Sequence, residues 1–273
     1  MLHKVLLSVL VLAVAGGCSE KGYVRTSFEN QRGFHRTARD VQASEKNHGK
    51  STDARRDLLE IQQYLAAGEF AIAKREAIAV LKKDPNSADG HTYLAVALDQ
   101  GGDAAGAGQH YLRAAEVTPN SGAALGNYGV WLCEQGRAAE SLTWFDRAVA
   151  IPGYGNQAMV LANAGVCAGK AGQQERADRD LRRAIAVDPA NAAALGALAE
   201  REFRAGNAFE ARAFSERRLA AAPADRQALL LASQIEEKLG DRAAAARYVA
   251  RLNAEFPDAS DARNSSTGDG GRK

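Results

Sequence analysis

A chain of 273 residues with 46% hydrophobic side chains is long enough to bury a continuous core. Its wealth of alanine, beside few runs of Ile, Val or Thr, favours helices packed through small residues over a sheet, so the expected fold class is all-α. The formal net charge is only +2 and the densest basic spots, Arg182-Arg183 and Arg217-Arg218, read as solvated helix surface, which excludes a nucleic-acid partner.

The chain opens with His3 and Lys4, a mostly apolar run from Val5 to Ala15, and then Ala15-Gly16-Gly17-Cys18. A basic start followed by an apolar stretch and small residues is an export signal. Eleven residues of helix rise only ~16 Å, about half of a bilayer core, which argues against a permanent span. Small residues directly before a cysteine resemble the lipobox of bacterial lipoproteins, although Ala15 stands where that motif usually carries Leu. The resemblance implies that 1–17 is a removable signal peptide and that Cys18 is the lipidation site. Ser19 occupies the place where an inner-membrane retention signal would carry Asp, which implies an outer-membrane anchor on the periplasmic face. Several acyl chains at ~0.8 kcal/mol per buried methylene hold such an anchor stably. Residues 18–52 comprise the lipidated cysteine and a polar, glycine-interrupted stretch without sustained apolar period, expected to be a flexible tether spanning roughly 30–35 Å.

From 53 to 258 two breaker residues recur with one period. Pro85, Pro119, Pro152, Pro189, Pro223 and Pro257 are spaced by 34, 33, 37, 34 and 34 residues, and Gly68, Gly102, Gly136, Gly172, Gly206 and Gly240 by 34, 34, 36, 34 and 34. Each period predicts an amphipathic helix, a tight turn where glycine takes positive φ, a second helix, and a proline that forbids continuation. A lone helical hairpin cannot bury its apolar stripe, so the six copies must stack on a shared core. Ser87, Ser121, Asn191 and Asp225 stand where helix N-caps are needed. The segment Ile151–Gln157 carries two extra residues; no strand precedes it and no Lys-Ser/Thr pair follows, so it predicts a longer connection between the third and fourth copies and not a phosphate loop.

The residues at fixed offsets resemble the tetratricopeptide repeat family: Leu94-Ala95, Leu98, Gly102, Ala107, Tyr111, Ala114 and Pro119 in the second copy, and Leu161, Gly165, Gly172, Ala177, Leu181, Ala184 and Pro189 in the fourth. The first copy diverges most, with Ile61 at a small-residue position. The resemblance implies a right-handed superhelix of six helix-turn-helix repeats whose first helices expose a groove for a polypeptide. In this register the groove carries Thr92, Val96, Asp99, Asn127, Val130, Asn163, Val166 and Glu200, with Asp89, Phe203 and Gln234 beside them. A mixed apolar and amide groove suits an extended segment or a helix of a protein partner. Asn127 and Asn163 serve equally well to bond a partner's backbone or to satisfy neighbouring helices.

Six such repeats behind a lipobox and a tether are similar to the type IV pilus biogenesis and stability lipoproteins, the PilW/PilF pilotin family. The stretch Ala124–Gly136 (ALGNYGVWLCEQG), the run Leu229-Leu230-Leu231-Ala232 and the closing Phe256-Pro257 carry this resemblance. It implies a role in localising the outer-membrane secretin of the pilus machine and assembling its ring. Two other scaffold roles stay open on the residues: a periplasmic adaptor for Flp-type pilus or other envelope assembly, and an accessory binding peptidoglycan or a glycosyl-transfer enzyme. The polar tail 259–273 is expected to be disordered.

No catalytic, metal or cofactor site and no small-molecule substrate is expected. His91 and His110 fall on different helices of the second repeat, without the spacing of a metal site or a catalytic base, and no Gly-x-Ser-x-Gly nucleophile is present. Cys133 and Cys167 lie 34 residues apart on neighbouring first helices. Packed helices stand ~8–10 Å apart, beyond the ~7 Å over which Cα atoms are bridged, so two small buried thiols are preferred over a disulfide. Trp131 and Trp144 read as packing residues.

Overall fold

The computed structural model describes Ser27–Glu29, His35–Thr37 and residues 50–257, with side chains from 53 onwards. The signal peptide, Cys18 and the tail 259–273 lie outside the described residues. Among the described residues twelve helices follow one another in pairs: α1 Lys50–Ala66 with α2 Phe70–Lys83, α3 Ala88–Gln100 with α4 Ala104–Val117, α5 Gly122–Glu134 with α6 Ala138–Val149, α7 Gln157–Lys170 with α8 Gln174–Val187, α9 Ala192–Arg204 with α10 Ala208–Ala221, and α11 Arg226–Leu239 with α12 Arg242–Glu255.

The turn inside each pair is the same device repeated. All six glycines of the ladder have positive φ, between 76° and 87°, and the amide of the residue after each donates to a carbonyl five residues back, as Asp103 does to Leu98 and Asp241 to Glu236. This is the left-handed closure that satisfies the last carbonyls of a helix. Ser87, Ser121, Asn191 and Asp225 accept from the amides of Gly90, Ala124, Ala194 and Ala228, capping α3, α5, α9 and α11 as expected. Asp103 and Asp241, each following a ladder glycine, cap α4 and α12 in the same way and were not anticipated. The link from α6 to α7 runs over seven positions, 150–156, where the link from α4 to α5 has four. Tyr154 from that longer link lies over Gly122 at the start of α5.

Every helix packs on the next, and every first helix also touches the first helix of the following repeat, giving one row from α1 to α11. Small residues set the approach. A Cβ on Gly165 would stand 2.6 Å from Leu181 Cγ, one on Gly129 2.9 Å from the Phe145 ring, and one on Gly108 2.2 Å from the Trp131 ring. The interior is continuous: one cluster joins Ile61, Tyr93, Tyr111 and Leu132 across the first three repeats, and Trp144 and Val166 each pack against two neighbouring clusters. Charged joints reinforce the stack. Arg176 of α8 reaches Asp146 of α6 at 2.6 Å and the buried Asp180 at 3.2 Å, and Arg212 of α10 grips the buried Glu236 of α11 through two nitrogens.

Within the segment read as a tether, two three-residue strands, β1 Ser27–Glu29 and β2 His35–Thr37, pair antiparallel with Phe28 opposite Arg36. They lie outside the repeats, and β2 rests against α5.

Candidate functional site

The row of first helices is where a repeat array presents its recognition surface, and the period makes its positions comparable. Ten residues before each ladder glycine stand Leu58, Thr92, Gly126, Ala162, Gly196 and Leu230; six before stand Gln62, Val96, Val130, Val166, Glu200 and Gln234, of which Leu58 and Gln62 are buried. Their burial changes along the row. Thr92, Gly126 and Ala162 are buried, Gly196 is half-buried, and Leu230 is 46% exposed. Val96 and Val130 are buried, Val130 completely, whereas Val166 and Glu200 are half-buried and Gln234 is exposed. The sequence reading expects Thr92, Val96, Val130, Val166, Glu200 and Gln234 of these to face an open groove. The row is instead closed from α1 to α5 and open over α9 and α11.

Polar groups in the closed half are engaged. Thr92 Oγ1 donates to the Ala88 carbonyl one turn back. Asn127 and Asn163 are both buried and both make interactions. At the equivalent position of the second repeat Tyr93 takes the place of the asparagine, and its hydroxyl accepts from Gln62 of α1. Burial, with Asp89 adding to it, raises the Tyr93 pKa well above the ordinary phenol value, so it remains a neutral core group. In the open half, Glu200 pairs with Arg204 one turn on, and Arg201 donates to the Gln174 side chain at 2.6 Å and to its carbonyl at 2.9 Å. Asp99 is half-buried at the end of α3 and also engaged.

Cys133 and Cys167 form a disulfide, against the expectation of two separate thiols. Their Cα atoms are 5.9 Å apart, inside the range a bridge spans. The expectation fails because ~8–10 Å separates helix axes, and Cα atoms on facing sides each stand ~2.3 Å nearer to the partner helix. Both cysteines are buried, so the bridge ties two groove-forming helices together from within the core.

His91 and His110 are brought together across α3 and α4. Their Nδ1 atoms are 2.9 Å apart, and His91 Nε2 lies 3.0 Å from the Pro85 carbonyl. A carbonyl only accepts, so His91 carries its proton on Nε2 and accepts at Nδ1 from His110. Burial first, and His91 second, push the His110 pKa below 6.5, with Asp103 opposing. Among the described residues no three His, Cys, Asp or Glu side chains are grouped so as to hold a metal ion. Trp131 packs on Gly108, donates to the Ala104 carbonyl at 3.2 Å and stacks near Tyr128, which meets Trp144 edge-on at 4.7 Å. Both tryptophans are inter-helix packing groups, as expected.

Residues 58–121 and 110–156 match the tetratricopeptide repeat model, and the remaining pairs repeat the same turn and packing. Residues 58–156 carry tetratricopeptide repeats. No curated protein matches it by sequence. Among solved structures it is similar to PilW, a widely conserved type IV pilus biogenesis factor, with 28% identity and a TM-score of 0.67 over 75% of this chain and 94% of that one. It is also similar in fold to PilF of Pseudomonas aeruginosa, with 21% identity and a TM-score of 0.68 over 80% of this chain and 99% of that one. A thermophilic tetratricopeptide repeat protein of Thermus thermophilus shares the fold at 21% identity and a TM-score of 0.55, over 68% of this chain and 98% of that one.

Proposed function

We propose that this chain is an outer-membrane lipoprotein scaffold of the pilotin type, which binds the secretin of a type IV pilus and promotes its localisation or assembly into a ring. The observation that carries the reading is the likeness to PilW, which spans nearly all of that protein. A continuous row of first helices supports the same reading. A repeat array acts by holding a polypeptide along its row, and the mixed apolar and polar surface from Gly196 and Glu200 to Leu230 and Gln234 suits an extended or helical segment.

Two further features support an exported, anchored protein. The export signal ends in small residues before Cys18, and a buried disulfide suits an oxidising compartment. No helix among the described residues is long and apolar enough to cross a membrane, and the reading assigns attachment to acylation of Cys18. Deleting the coding sequence is expected to lower heat-stable secretin multimers and to abolish twitching, both restored by the wild-type chain. Unchanged multimers would contradict the secretin assignment. Palmitate labelling tests the anchor separately, with the label lost in Cys18→Ala; a Cys18→Ala chain that labels as strongly as wild type rules the anchor out.

A further inference from the structure

Nine residues after each ladder glycine, the second helices carry Ala77, Tyr111, Phe145, Leu181 and Ser215 in the first five repeats and Val249 in the sixth. The first five are buried, four of them completely, and Val249 is 39% exposed. The turn and the pairing within a repeat are the same in all six. What differs is the helix that follows. The helices α3, α5, α7, α9 and α11 each pack on the second helix before them, and among the described residues no first helix follows α12. The row of first helices ends in the same way. Leu58, Thr92, Gly126 and Ala162 are buried, and Val160 of α7 stands 3.4 Å from where a Cβ of Gly126 would lie, whereas Leu230 at the equivalent position of α11 is 46% exposed. Between α11 and α12 this leaves a groove of about 770 Å³ whose lining includes Glu237, Arg242, Ala246, Val249, Ala250 and Asn253.

We propose that this groove is a helix-binding seat, in which an amphipathic α-helix of a protein partner lies as a seventh first helix. The five internal joints define the occupant. Each seats a helix on its small or aliphatic face, as α9 does with Ala194 and Leu198, which share a core cluster with Leu181 of α8. The polar end of the seat is defined too. In the fourth joint Arg201 of α9 donates to the Gln174 side chain at 2.6 Å and lies beside Gly169 of α7. The sixth repeat has Arg242 at the position of Gln174 and Glu237 at that of Gly169, both exposed. A side-chain amide donates to the one carboxylate and accepts from the one guanidinium, so the occupant carries Gln or Asn where α9 carries Arg201. The chain's own residues 258–273 include no apolar side chain larger than alanine, so they do not supply the aliphatic face. A second copy meeting this one end to end would be confined to one face of α12, about 21 Å long and roughly 10 Å wide, far below the ~800 Å² per partner of a stable interface. A partner that also runs along the open positions Leu230 and Gln234 of α11 adds to that contact. The identity of the partner rests on the secretin reading above; the seat does not.

The probe is a synthetic peptide of residues 190–205 with Arg201→Gln, stapled between positions 196 and 200 to hold it helical and labelled with a fluorophore. Its binding to the purified full chain is read by anisotropy. Val249→Asp is expected to weaken it about tenfold or more, while Val187→Asp, at another exposed valine, leaves it unchanged and the far-UV spectra of all three chains agree. The same peptide with Arg201 retained is expected to bind several-fold more weakly. No binding to the wild-type chain up to ~1 mM, or equal binding to wild type and Val249→Asp, would overturn the seat. Equal affinity for the two peptides would overturn the amide assignment. A chain that sediments as a dimer and is returned to monomer by Val249→Asp would give the seat to a second copy and overturn the partner helix. The periplasmic part of the type IV pilus secretin then serves as competitor, and displacement of the peptide is expected. Secretin binding without displacement would overturn the secretin as donor of the helix and leave the secretin reading standing. No secretin binding beside intact peptide binding would contradict that reading and leave the seat standing.

Discussion

Gly165 and Gly196 occupy the interiors of equivalent first helices in different surroundings, and the contrast isolates what packing demands of a residue. A Cβ at Gly165 meets Leu181 Cγ at 2.6 Å, whereas one at Gly196 finds nothing closer than Arg218 Cδ at 3.8 Å. Gly165→Ala is therefore expected to destabilise the chain by ~1–3 kcal/mol through overpacking. Gly196→Ala is expected to stabilise it by ~0.5–1 kcal/mol, because alanine loses less backbone freedom in a helix. Urea unfolding of both variants checks the signs. The histidine pair makes a second residue-scale prediction. Folding holds the His110 pKa below 6.5, so the unfolded chain binds the extra proton more readily. The stability contributed is present above the ordinary value and is lost as pH falls through it. The melting temperature should fall between about pH 7.5 and about pH 5.5, and His110→Gln should flatten that slope. An unaltered slope would remove His110 as its source. The ring pair was not legible in the sequence, because 19 positions separate the two residues and only the crossing of α3 over α4 brings them together.

At the scale of the element, the helical hairpins were almost wholly legible. Gly102 and Pro119 state where α4 is bounded, since one needs positive φ and the other cannot continue a helix. The caps on first helices follow from Ser87, Ser121, Asn191 and Asp225 for the same reason. Those on α4 and α12 were missed although the Gly-Asp step at 102–103 and 240–241 announces them. Asp241→Ala should cost about 1 kcal/mol, concentrated in the last helix, and amide exchange along α12 reads it. The disulfide was misjudged, since a spacing of ~8–10 Å between helix axes was applied to Cα atoms, which on facing sides stand closer, here 5.9 Å apart. Because it closes a loop of 34 residues, Cys133→Ala with Cys167→Ala is expected to lower stability by roughly 3–4 kcal/mol on the chain-entropy account. A change in denaturation midpoint near zero would show that the bridge adds nothing the core has not already fixed. The strands β1 and β2 lay beyond sequence reasoning because three-residue runs such as Ser-Phe-Glu and His-Arg-Thr are too short to display a period.

For the molecule as a whole, stacking makes the groove a property of all six repeats together. Neighbouring repeats share core residues and the first helices touch in succession, so a partner segment meets one surface whose chemistry changes along its length. The positions of that surface were legible from the 34-residue period, since equivalence needs only the ladder of glycines. Their accessibility was not, because it depends on how closely neighbouring first helices pack, as where Val160 of α7 meets Gly126 of α5. The most direct test of the scaffold account is a titration of the purified periplasmic part of the type IV pilus secretin against the wild-type chain, a Leu230→Asp variant on α11, and a Phe209→Asp variant on the second helix α10. Both side chains are exposed, so neither change disturbs the core. The account predicts that Leu230→Asp weakens binding about tenfold or more, as loss of an apolar contact within an interface does, while Phe209→Asp leaves it unaltered. Weakening by Phe209→Asp alone, or by neither, would contradict it.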